Sequence, residues 1–372
     1  MSSTIEEQIA SIALMFIPGI GHIWAKKLVD GMGNAADVFR FRKQLPERLP
    51  EVNQRLVEAL DCPQAFEHAK LEIEFVKKNH IRCLTLADDD YPSRLRECCD
   101  GPVVLFLKGN VNLNALHVIN IVGTRKATDY GSQICATFLR DLKQLCPDVL
   151  VVSGLAYGID IHAHRESLAN DLSTVAVLAH GLDRIYPYVH RKTAVDMLKN
   201  GGLLTEYVSG TNPDAHNFVS RNRIVAGMCD ATIVVESAKK GGALITADIA
   251  ESYHRDCFAF PGRINDAYSL GSNQLIRDNK AALLLSAEGL VKALCWDVMI
   301  NKTSNVQRNL FLDLSEDECK VVKVLQEKGD LQINSLTVLT EMPINKMNAL
   351  LFNLEMKGVL RVLVGGIYQL LQ

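Results

Sequence analysis

The segment VVSGLAYGIDIHAHRES, residues 151–167, places an acid and two imidazoles at alternate positions, Asp160, His162 and His164. Such a set could form an acid–base cluster or bind a metal. Residues two apart on a helix do not share a face, and zinc-binding helices place their histidines four apart. We therefore expect no metal site. Asp160 is expected to cap the first amides of a helix, and His164 is expected to make a buried hydrogen bond.

Glycines, some of them beside cations, follow several apolar runs of the chain. Glycine lets the backbone approach a ligand, and amides at a helix start point toward an anion. Tight turns also need glycine, but the repetition and the cations favour a rim that binds phosphate groups. The candidates are Gly123, Thr124, Arg125, Gly154, Gly158, Lys239, Lys240, Gly241 and Gly242. None of these turns has the G-x-G-x-x-G fingerprint or a Walker A sequence.

A second group of candidates lies in NPDAHNFVSRNRIVAGMCD, residues 212–230, where Arg221, Asn222 and Arg223 occupy a stretch compatible with a helix. Two arginines beside an amide suit contacts with phosphates and bases. The alternative is a surface helix whose arginines pair with neighbouring acids. The nearby acids are few, namely Asp214, Asp230 and Glu206. The pattern therefore favours a binding role for both arginines.

Between residues 116 and 295 short apolar runs alternate with helical patterns. The runs are LHVINIV, DVLVVS, TVAVLA, LLTE, ATIVVE, CFAFP and AALLLS. Alternation of this kind predicts an α/β fold with a parallel sheet that is covered by helices on both faces. Ligands bind such sheets at the carboxyl ends of the strands. The candidate glycines and cations follow the runs, so the sheet would bring them to one edge.

Residues 1–75 are predicted to be helical and to form a domain of their own. Within them IPGIGHIWAKKLVDGMG, residues 17–33, has a Pro-Gly-Ile-Gly turn before an amphipathic helix. The pattern is similar to a helix-hairpin-helix (SAM-like) element, whose turn amides can meet a DNA phosphate. The alternative is a plain helical turn with glycine caps, since only Lys26 and Lys27 follow the turn.

Residues 313–372, after a predicted linker at 296–312, are predicted to form a winged helix. Ser315 and Glu318 make a capping box, and two further amphipathic helices precede a hairpin with a glycine turn. The third helix offers only Lys346 and Lys357, and the region holds eight acids and six bases. This balance favours contact with protein, or weak contact with DNA, over strong binding in a DNA groove.

Composition limits the classes of function. The 372 residues suggest two or three domains. With 40 basic and 43 acidic residues the net charge is −3, so contact with nucleic acid needs a local basic patch. The ten cysteines show no metal-like spacing, which is typical of reduced thiols in a cytoplasmic protein. No apolar run is long enough for a membrane span, and the acidic N-terminal segment does not resemble a secretory signal.

Six motifs together resemble the DNA-processing protein A family, also called DprA or Smf. They are YPSRL, VGTRKATDYG, SGLAYGIDIHAH, FVSRNRIVAG, VVESAKKGGALITADIA and FPGRINDAYSLGSNQLI, in this order between residues 80 and 290. The resemblance implies an extended Rossmann-like domain that binds single-stranded DNA. It also implies a homodimer that protects incoming DNA and helps to load the recombinase RecA during natural transformation.

The resemblance adds two site residues to the candidates, Ser153 in the SGxAxGID segment and Asn273 in the GxN segment. One departure concerns the glycine-rich segment. Gly241-Gly242-Ala243-Leu244 stands where the family often has Ser-Gly-Thr-Leu, so a contact there would have to come from the backbone. Bases bound as a single strand also need aromatic platforms, and Tyr130, Tyr157, Tyr186 and Phe218 lie near strand ends.

Two functions from different classes are compatible with the motifs. One is a single-stranded DNA binder without a catalytic residue, cofactor or metal. The other is a nucleotide phosphoribohydrolase of similar fold, whose motif PGGxGTxxE carries a catalytic Glu. In this chain the best alignment to that motif is residues 241–248, which lacks the later Gly and Thr and has Asp248 in place of the Glu. We therefore favour the DNA binder.

Overall fold

The computed structural model describes residues 3–296, 314–363 and 366–371. The chain divides into two compact units, one of Met1–Arg140 with Asp148–Leu283 and one of Asp141–Pro147 with Leu284–Gln372. The predicted linker lies outside the described residues except for its first residue, Trp296. The first unit contains the predicted helical region and nearly all of the predicted sheet.

Six helices precede the sheet, as the sequence predicts for this region. They are α1 (Ile5–Leu14), α2 (His22–Met32), α3 (Ala35–Arg40), α4 (Leu45–Arg48), α5 (Gln54–Ala59) and α6 (Pro63–Lys78). The Pro-Gly-Ile-Gly turn joins α1 to α2 and has Gly19 at φ 81°, a value that favours glycine. Both lysines of α2 form ion pairs, Lys26 with Asp30 and Lys27 with Glu51.

Nine strands form one sheet. They are β1 (Arg82–Thr85), β2 (Val104–Gly109), β3 (Val118–Val122), β4 (Leu150–Ser153), β5 (Ser173–Val177), β6 (Gly201–Thr205), β7 (Ala231–Val234), β8 (Asp256–Ala259) and β9 (Ala282–Leu283). Their order is β1-β2-β6-β5-β4-β3-β7-β8-β9. The predicted α/β fold and parallel sheet are confirmed for β3 to β9, whereas β1 and β2 add an antiparallel edge.

Helices connect the strands. They are α7 (Ser93–Arg96), α8 (Asp129–Leu145), α9 (Ile159–Ala169), α10 (Arg191–Met197), α11 (Ala215–Gly227), α12 (Gly242–Ser252), α13 (Leu270–Arg277) and α14 (Ala287–Ala293), with a 3₁₀ turn at Tyr188–His190. No helix in the described ranges is long and apolar enough to span a membrane. The strand order changes direction between β3 and β7, and a parallel sheet binds ligands at such a point.

The N-terminal helices share one core with the antiparallel edge of the sheet. Leu14 and Leu28 are fully buried in the same cluster as Val104 and Phe106 of β2. Polar contacts extend the interface, because the carboxylate of Glu72 on α6 accepts from the backbone and the hydroxyl of Ser209, after β6, at 2.9 and 2.5 Å. These helices are therefore part of the same compact body as the sheet.

The YPSRL motif anchors the segment between β1 and β2 to the middle of the sheet. Arg94 is buried, and its Nε lies 2.6 Å from Oδ1 of the equally buried Asp230. The guanidinium also donates to the carbonyls of Ala115 and Leu116, and Asp230 accepts the N–H of Val118 at 2.9 Å. One ion pair thus fixes the beginnings of β3 and β7.

The second unit is described by itself. In its C-terminal part the elements are α15 (Glu316–Lys328), β10 (Leu331–Gln332), α16 (Ile333–Thr340), α17 (Ile344–Met356), β11 (Leu360–Leu363) and β12 (Ile367–Leu370). The predicted capping box is present at the start of α15. The three helices and the final hairpin follow the predicted order, and the structure adds the short strand β10, which pairs with β12. The winged-helix assignment remains a prediction.

We predict that Arg94→Ala lowers the free energy of unfolding by about 3–5 kcal/mol, because Asp230 would stay buried without its cation. Arg82→Ala is the control, since the Arg82–Asp90 pair is exposed (41% and 72%) and such pairs contribute about 1 kcal/mol at most. Urea titration monitored by circular dichroism measures both variants. Equal effects of the two substitutions would contradict the anchoring role.

Candidate functional site

The loops that follow β3, β4, β5 and β7 form a rim at the carboxyl end of the sheet, which we call the carboxyl-end rim. Because β3 pairs with both β4 and β7 in parallel, the loops after these strands are neighbours. A buried carboxylate holds them together. Glu236, two residues after the end of β7, is 1% exposed. Its carboxylate accepts from the N–H and the hydroxyl of Thr128, and its carbonyl accepts the N–H of Thr124.

Sequence analysis did not identify Glu236. The available signal is the acid that ends the otherwise apolar run ATIVVE, since a carboxylate in a buried strand needs several donors. The structure supplies them from the loop after β3, which therefore has a fixed conformation. Gly131 also lies against this carboxylate, because a Cβ there would clash with the Glu236 side chain.

The predicted glycines of this rim serve contacts between loops. Gly158 has φ 77°, and a Cβ on it would clash with the carbonyl of Thr124. A Cβ on Gly123 would clash with Ile159, whose N–H donates to the same Thr124 carbonyl at 3.1 Å. Glycine is thus required at both positions for packing within the protein, which differs from the predicted reason, approach to a ligand.

Arg221 is buried, contrary to the expectation of a cation that is free to meet phosphate. Its Nη1 donates to the carbonyl of Gly154 at 2.9 Å and to the carbonyl of Val177. A Cβ on Gly154 would clash with the guanidinium, so this glycine makes room for the arginine. Arg221 therefore joins the carboxyl ends of β4 and β5 from inside the protein.

Asp160 supplies the opposite charge. It is buried, and burial raises the pKa of its carboxyl group, while Arg221 and the N–H groups of Ala156 and Gly154 act in the other direction. The predicted cap geometry is different in detail, because Gly158 is the N-cap of α9 and Asp160 accepts from the turn before the helix. The acid stabilises the SGLAYG turn and the arginine together.

Arg223 is also buried and is therefore not available to bind a phosphate group at the surface. Its guanidinium contacts the buried carboxylate of Glu206 and donates to the carbonyl of Asp100 at 2.6 Å. His22 of α2 lies 3.3 Å from the same carboxylate. Burial raises the pKa of Glu206 to about 7, and the charge of Arg223 opposes this shift. The neighbouring acid thus accounts for this arginine, as in the alternative interpretation of the motif.

Three further predicted side chains are also occupied inside the protein. Ser153 donates to the carbonyl of Ile121 at 2.6 Å, and Asn222 accepts from Nε of Arg221 at 3.3 Å. Asn273 pairs with both the N–H and the carbonyl of Gly262 at 3.0 and 2.9 Å. These residues shape the loops, and the exposed candidates are left to meet a ligand.

The exposed part of the rim combines a cation with aromatic rings. Cζ of Arg125 lies 5.2 Å from the centroid of the Phe218 ring, within the range of a cation–π contact. The Phe218 and Tyr186 centroids are 5.8 Å apart. Arg125 and Tyr186 are exposed and Phe218 is half-buried. We call these three residues the aromatic row.

A second exposed group lies at the start of α12. Lys239 and Lys240 are exposed, and neither forms an ion pair within the residues that the structure describes. Gly241 is the N-cap and Gly242 the first residue of the helix, and the space above Gly242 is open. A close approach of Gly271 to the carbonyls of Ser237 and Ala238 holds this loop. Cations, free amides and the helix dipole therefore favour an anion here.

The two histidines of the DIHAH segment diverge, as their spacing predicts. His162 contacts the hydroxyl of Ser132 at 3.4 Å, whereas Nδ1 of His164 lies 2.7 Å from Thr174 Oγ1. The expected buried hydrogen bond of His164 is confirmed. Burial lowers the pKa of His164 to about 3, so the ring is neutral. Among the described residues no group of three or more metal-binding side chains is found.

The lysines of the predicted recognition helix α17 pair with acids of α15. Lys346 lies 2.6 Å from Asp317 and Lys357 lies 2.7 Å from Glu318. Two apolar side chains of α17, Phe352 and Met356, are instead 61% and 73% exposed. The helix thus presents apolar surface, and its cations are already neutralised.

Comparison with known proteins identifies relatives of the chain. Residues 82–295 match the family described as DNA recombination-mediator protein A. DNA processing protein DprA of Streptococcus pneumoniae is 37% identical over 226 residues, which cover 60% of this chain and 77% of the relative. Its X-ray structure, at a TM-score of 0.61 and 29% identity, covers 78% of this chain and 98% of that chain.

A second similar structure is that of DNA processing protein A from Helicobacter pylori, which was solved to study how that protein binds single-stranded DNA. The TM-score is 0.52 and the identity 28%, over 58% of this chain and 96% of that chain.

We predict that Arg221→Ala lowers the free energy of unfolding by about 2–6 kcal/mol, because the buried carbonyls of Gly154 and Val177 would each lose a donor. Arg125→Ala, which removes an exposed cation from the same rim, should cost about 1 kcal/mol or less. Chemical denaturation of both variants measures the difference. A marginal effect of Arg221→Ala would show that its guanidinium can leave the interior, and would return it to the binding candidates.

Proposed function

The chain belongs to the DNA recombination-mediator protein A (DprA) family, and on this premise we propose that it binds single-stranded DNA along the carboxyl-end rim. Its family gives the chain a role in DNA processing. The observation that carries the finer proposal is the aromatic row of Arg125, Phe218 and Tyr186, which combines an exposed ring, a half-buried ring and an exposed cation.

The chemistry of a single strand matches this surface. Unpaired bases stack on aromatic rings with little dependence on sequence, and the backbone phosphates follow cations. Arg125, Lys239 and Lys240 are the exposed cations of the rim candidates, whereas Arg221 and Arg223 are buried. Since the chain carries a net charge of −3, these few cations provide the local attraction.

We further propose that the protein does not hydrolyse nucleotides and acts only by binding. In the phosphoribohydrolase motif a Glu does the chemistry, and the residue at its position here, Asp248, forms an exposed ion pair with Lys280 at 2.6 Å. A carboxylate held by a lysine at the surface is not placed as a general base in a closed site. Release of free base from nucleoside monophosphates above a protein-free control would contradict this proposal.

The family also suggests that the protein protects incoming single strands and passes them to a RecA-type recombinase in the cytoplasm. The C-terminal unit supports a contact with protein, because its α17 lysines are paired and Phe352 and Met356 are exposed. Exposed aromatic and Met side chains are typical of protein interfaces. The test measures assembly of a RecA-type recombinase on single strands that are already covered by a single-stranded DNA-binding protein. Equal assembly with and without this chain would contradict the transfer role.

A homodimer is the assembly that the family resemblance suggests, and the β9 edge of the sheet is our candidate interface. β9 is a two-residue edge strand, and edge strands offer unpaired backbone groups to a partner. Leu283 at this edge is 52% exposed, and Ile264 and Leu270, between β8 and β9, are 81% and 41% exposed.

The first functional prediction concerns charge. Arg125→Ala should weaken poly-dT binding for all sequences alike and flatten the slope of log affinity against log salt by about 0.7, the contribution of one phosphate contact. Lys126→Ala is the matched control, because Lys126 is the next residue and is also exposed, whereas the contact with the Phe218 ring is made by Arg125. A salt titration of both variants, with circular dichroism as a check on folding, measures the slopes.

In the same salt titration, Phe218→Leu distinguishes the contribution of base stacking to the affinity from that of charge. It should reduce affinity by about 1–3 kcal/mol for the lost stacked base and leave the slope unchanged. Wild-type affinity and slope in folded Arg125→Ala would place the strand elsewhere than on this rim.

The second functional prediction concerns assembly. The full-length Leu283→Asp variant should be a monomer in light scattering at micromolar concentration, because a charge would be desolvated at the interface. Leu71→Asp is the control, since Leu71 is also exposed (63%) but lies on α6. A dimer that persists in Leu283→Asp and dissociates in Leu71→Asp would move the interface to the N-terminal helices.

A further inference from the structure

A cavity of about 420 Å³ opens beside the carboxyl-end rim, between α10, β2, β6 and the loop after β5. Its walls are apolar and belong to the core cluster under α10, including Leu182, Ala194, Leu198 and Leu203. Clefts of small-molecule ligands have volumes of about 300–1,000 Å³. The cavity therefore suits a single small group and is too small for a folded partner.

Cations surround the apolar walls. Lys108, Arg184 and Arg191 line the cavity, against one acid, Asp183. Arg184 and Asp183 are paired with each other at 2.9 Å, and Asp183 also accepts the N–H of Gly210. Neither Lys108 nor Arg191 forms an ion pair within the described part of the chain, and Arg191 is exposed. Two cations thus remain to meet an anion.

The cavity and the aromatic row are connected by one short segment of the chain, residues 186–188. Tyr186 belongs to the row, and Tyr188, two residues later, lines the cavity and is 76% exposed. The buried His190, at the end of the same 3₁₀ turn, makes an edge-to-face contact with the exposed Tyr157 at a centroid distance of 5.0 Å. One exposed tyrosine of this segment thus belongs to the row and another lines the cavity.

We propose that this cavity is a second subsite that takes one nucleotide unit of the bound strand. The base would enter between the apolar walls beside Tyr188, and its phosphate would lie against Arg191 and Lys108. An apolar slot with cations at its mouth matches the two halves of a nucleotide, a flat ring system and an anion. The inference rests on the proposed function, because it assigns the strand a path beyond Tyr186.

The test uses the full chain and poly-dT. Arg191→Ala should weaken binding about tenfold, the loss of a charged hydrogen bond, and flatten the salt slope by about 0.7. Lys192→Ala is the matched control, because Lys192 is the next residue of α10, is exposed and does not line the cavity. It should change affinity less than twofold. Lys108→Ala is a second variant on β2, and thermal melts confirm that each variant is folded.

Placement of the base is tested by photocrosslinking. Poly-dT that contains 5-iododeoxyuridine should crosslink to Tyr188 in the wild type, and Arg191→Ala should reduce that product, whereas Lys192→Ala should not. Identical binding and crosslinking in the Arg191 and Lys192 variants would overturn the subsite and leave the proposed function intact. Absence of poly-dT binding by the wild type would instead overturn the proposed function.

Titration with thymidine monophosphate distinguishes a nucleotide of the strand from a free nucleotide. If the mononucleotide binds in an Arg191-dependent way while poly-dT affinity is the same in Arg191→Ala and the wild type, the site serves free nucleotides and the strand subsite is overturned. If Arg191→Ala weakens poly-dT, and the mononucleotide competes with poly-dT only at high concentration, the subsite is supported.

Discussion

The guanidinium of Arg221 is the contact on which the carboxyl-end rim of the sheet depends. Parallel strands end in carbonyl groups that no neighbouring strand satisfies, and a buried carbonyl without a donor is costly. Arg221 reaches the carbonyls of Gly154 and Val177 from α11, and Asp160 balances its charge. Since α11 also carries Phe218, the same helix that closes the interior presents a ring at the surface.

Buried charged residues and exposed charged residues have separate roles in this protein. Buried pairs such as Arg94–Asp230 and Arg223–Glu206 fix the relative positions of strands and loops. Exposed cations such as Arg125 and Lys240 lie on loops that other interior contacts hold, Glu236 with Thr128 in the first loop and Gly271 with Ser237 in the second. A site that is formed before the ligand arrives loses less entropy on binding. The chain can therefore be slightly acidic as a whole and still offer a basic rim.

The sequence predicts the α/β alternation because the central strands β3, β4, β6 and β7 are buried on both faces, which leaves continuous apolar runs. It also places Arg125, Lys239 and Lys240 at strand ends, where the structure has them exposed. It cannot tell which way an arginine points. Arg221 and Arg223 both face the interior because their partners, Asp160 with backbone carbonyls and Glu206, come from distant segments. Similarly, the sequence predicts that Gly158 contacts a ligand, whereas in the structure this glycine packs against the carbonyl of Thr124.

The shared core of the N-terminal helices and the sheet has a consequence for how the chain folds during synthesis. Helices α1 to α6 are made first, but their core includes Val104 and Phe106, and Glu72 finds its donors only at Ser209. At the usual rate of translation, about 5–20 residues per second, Ser209 follows α6 after roughly ten seconds. During that interval the helices carry uncovered apolar surface outside the ribosome. Exposed apolar surface of this kind favours aggregation, so we expect the nascent chain to need protection until the sheet has formed.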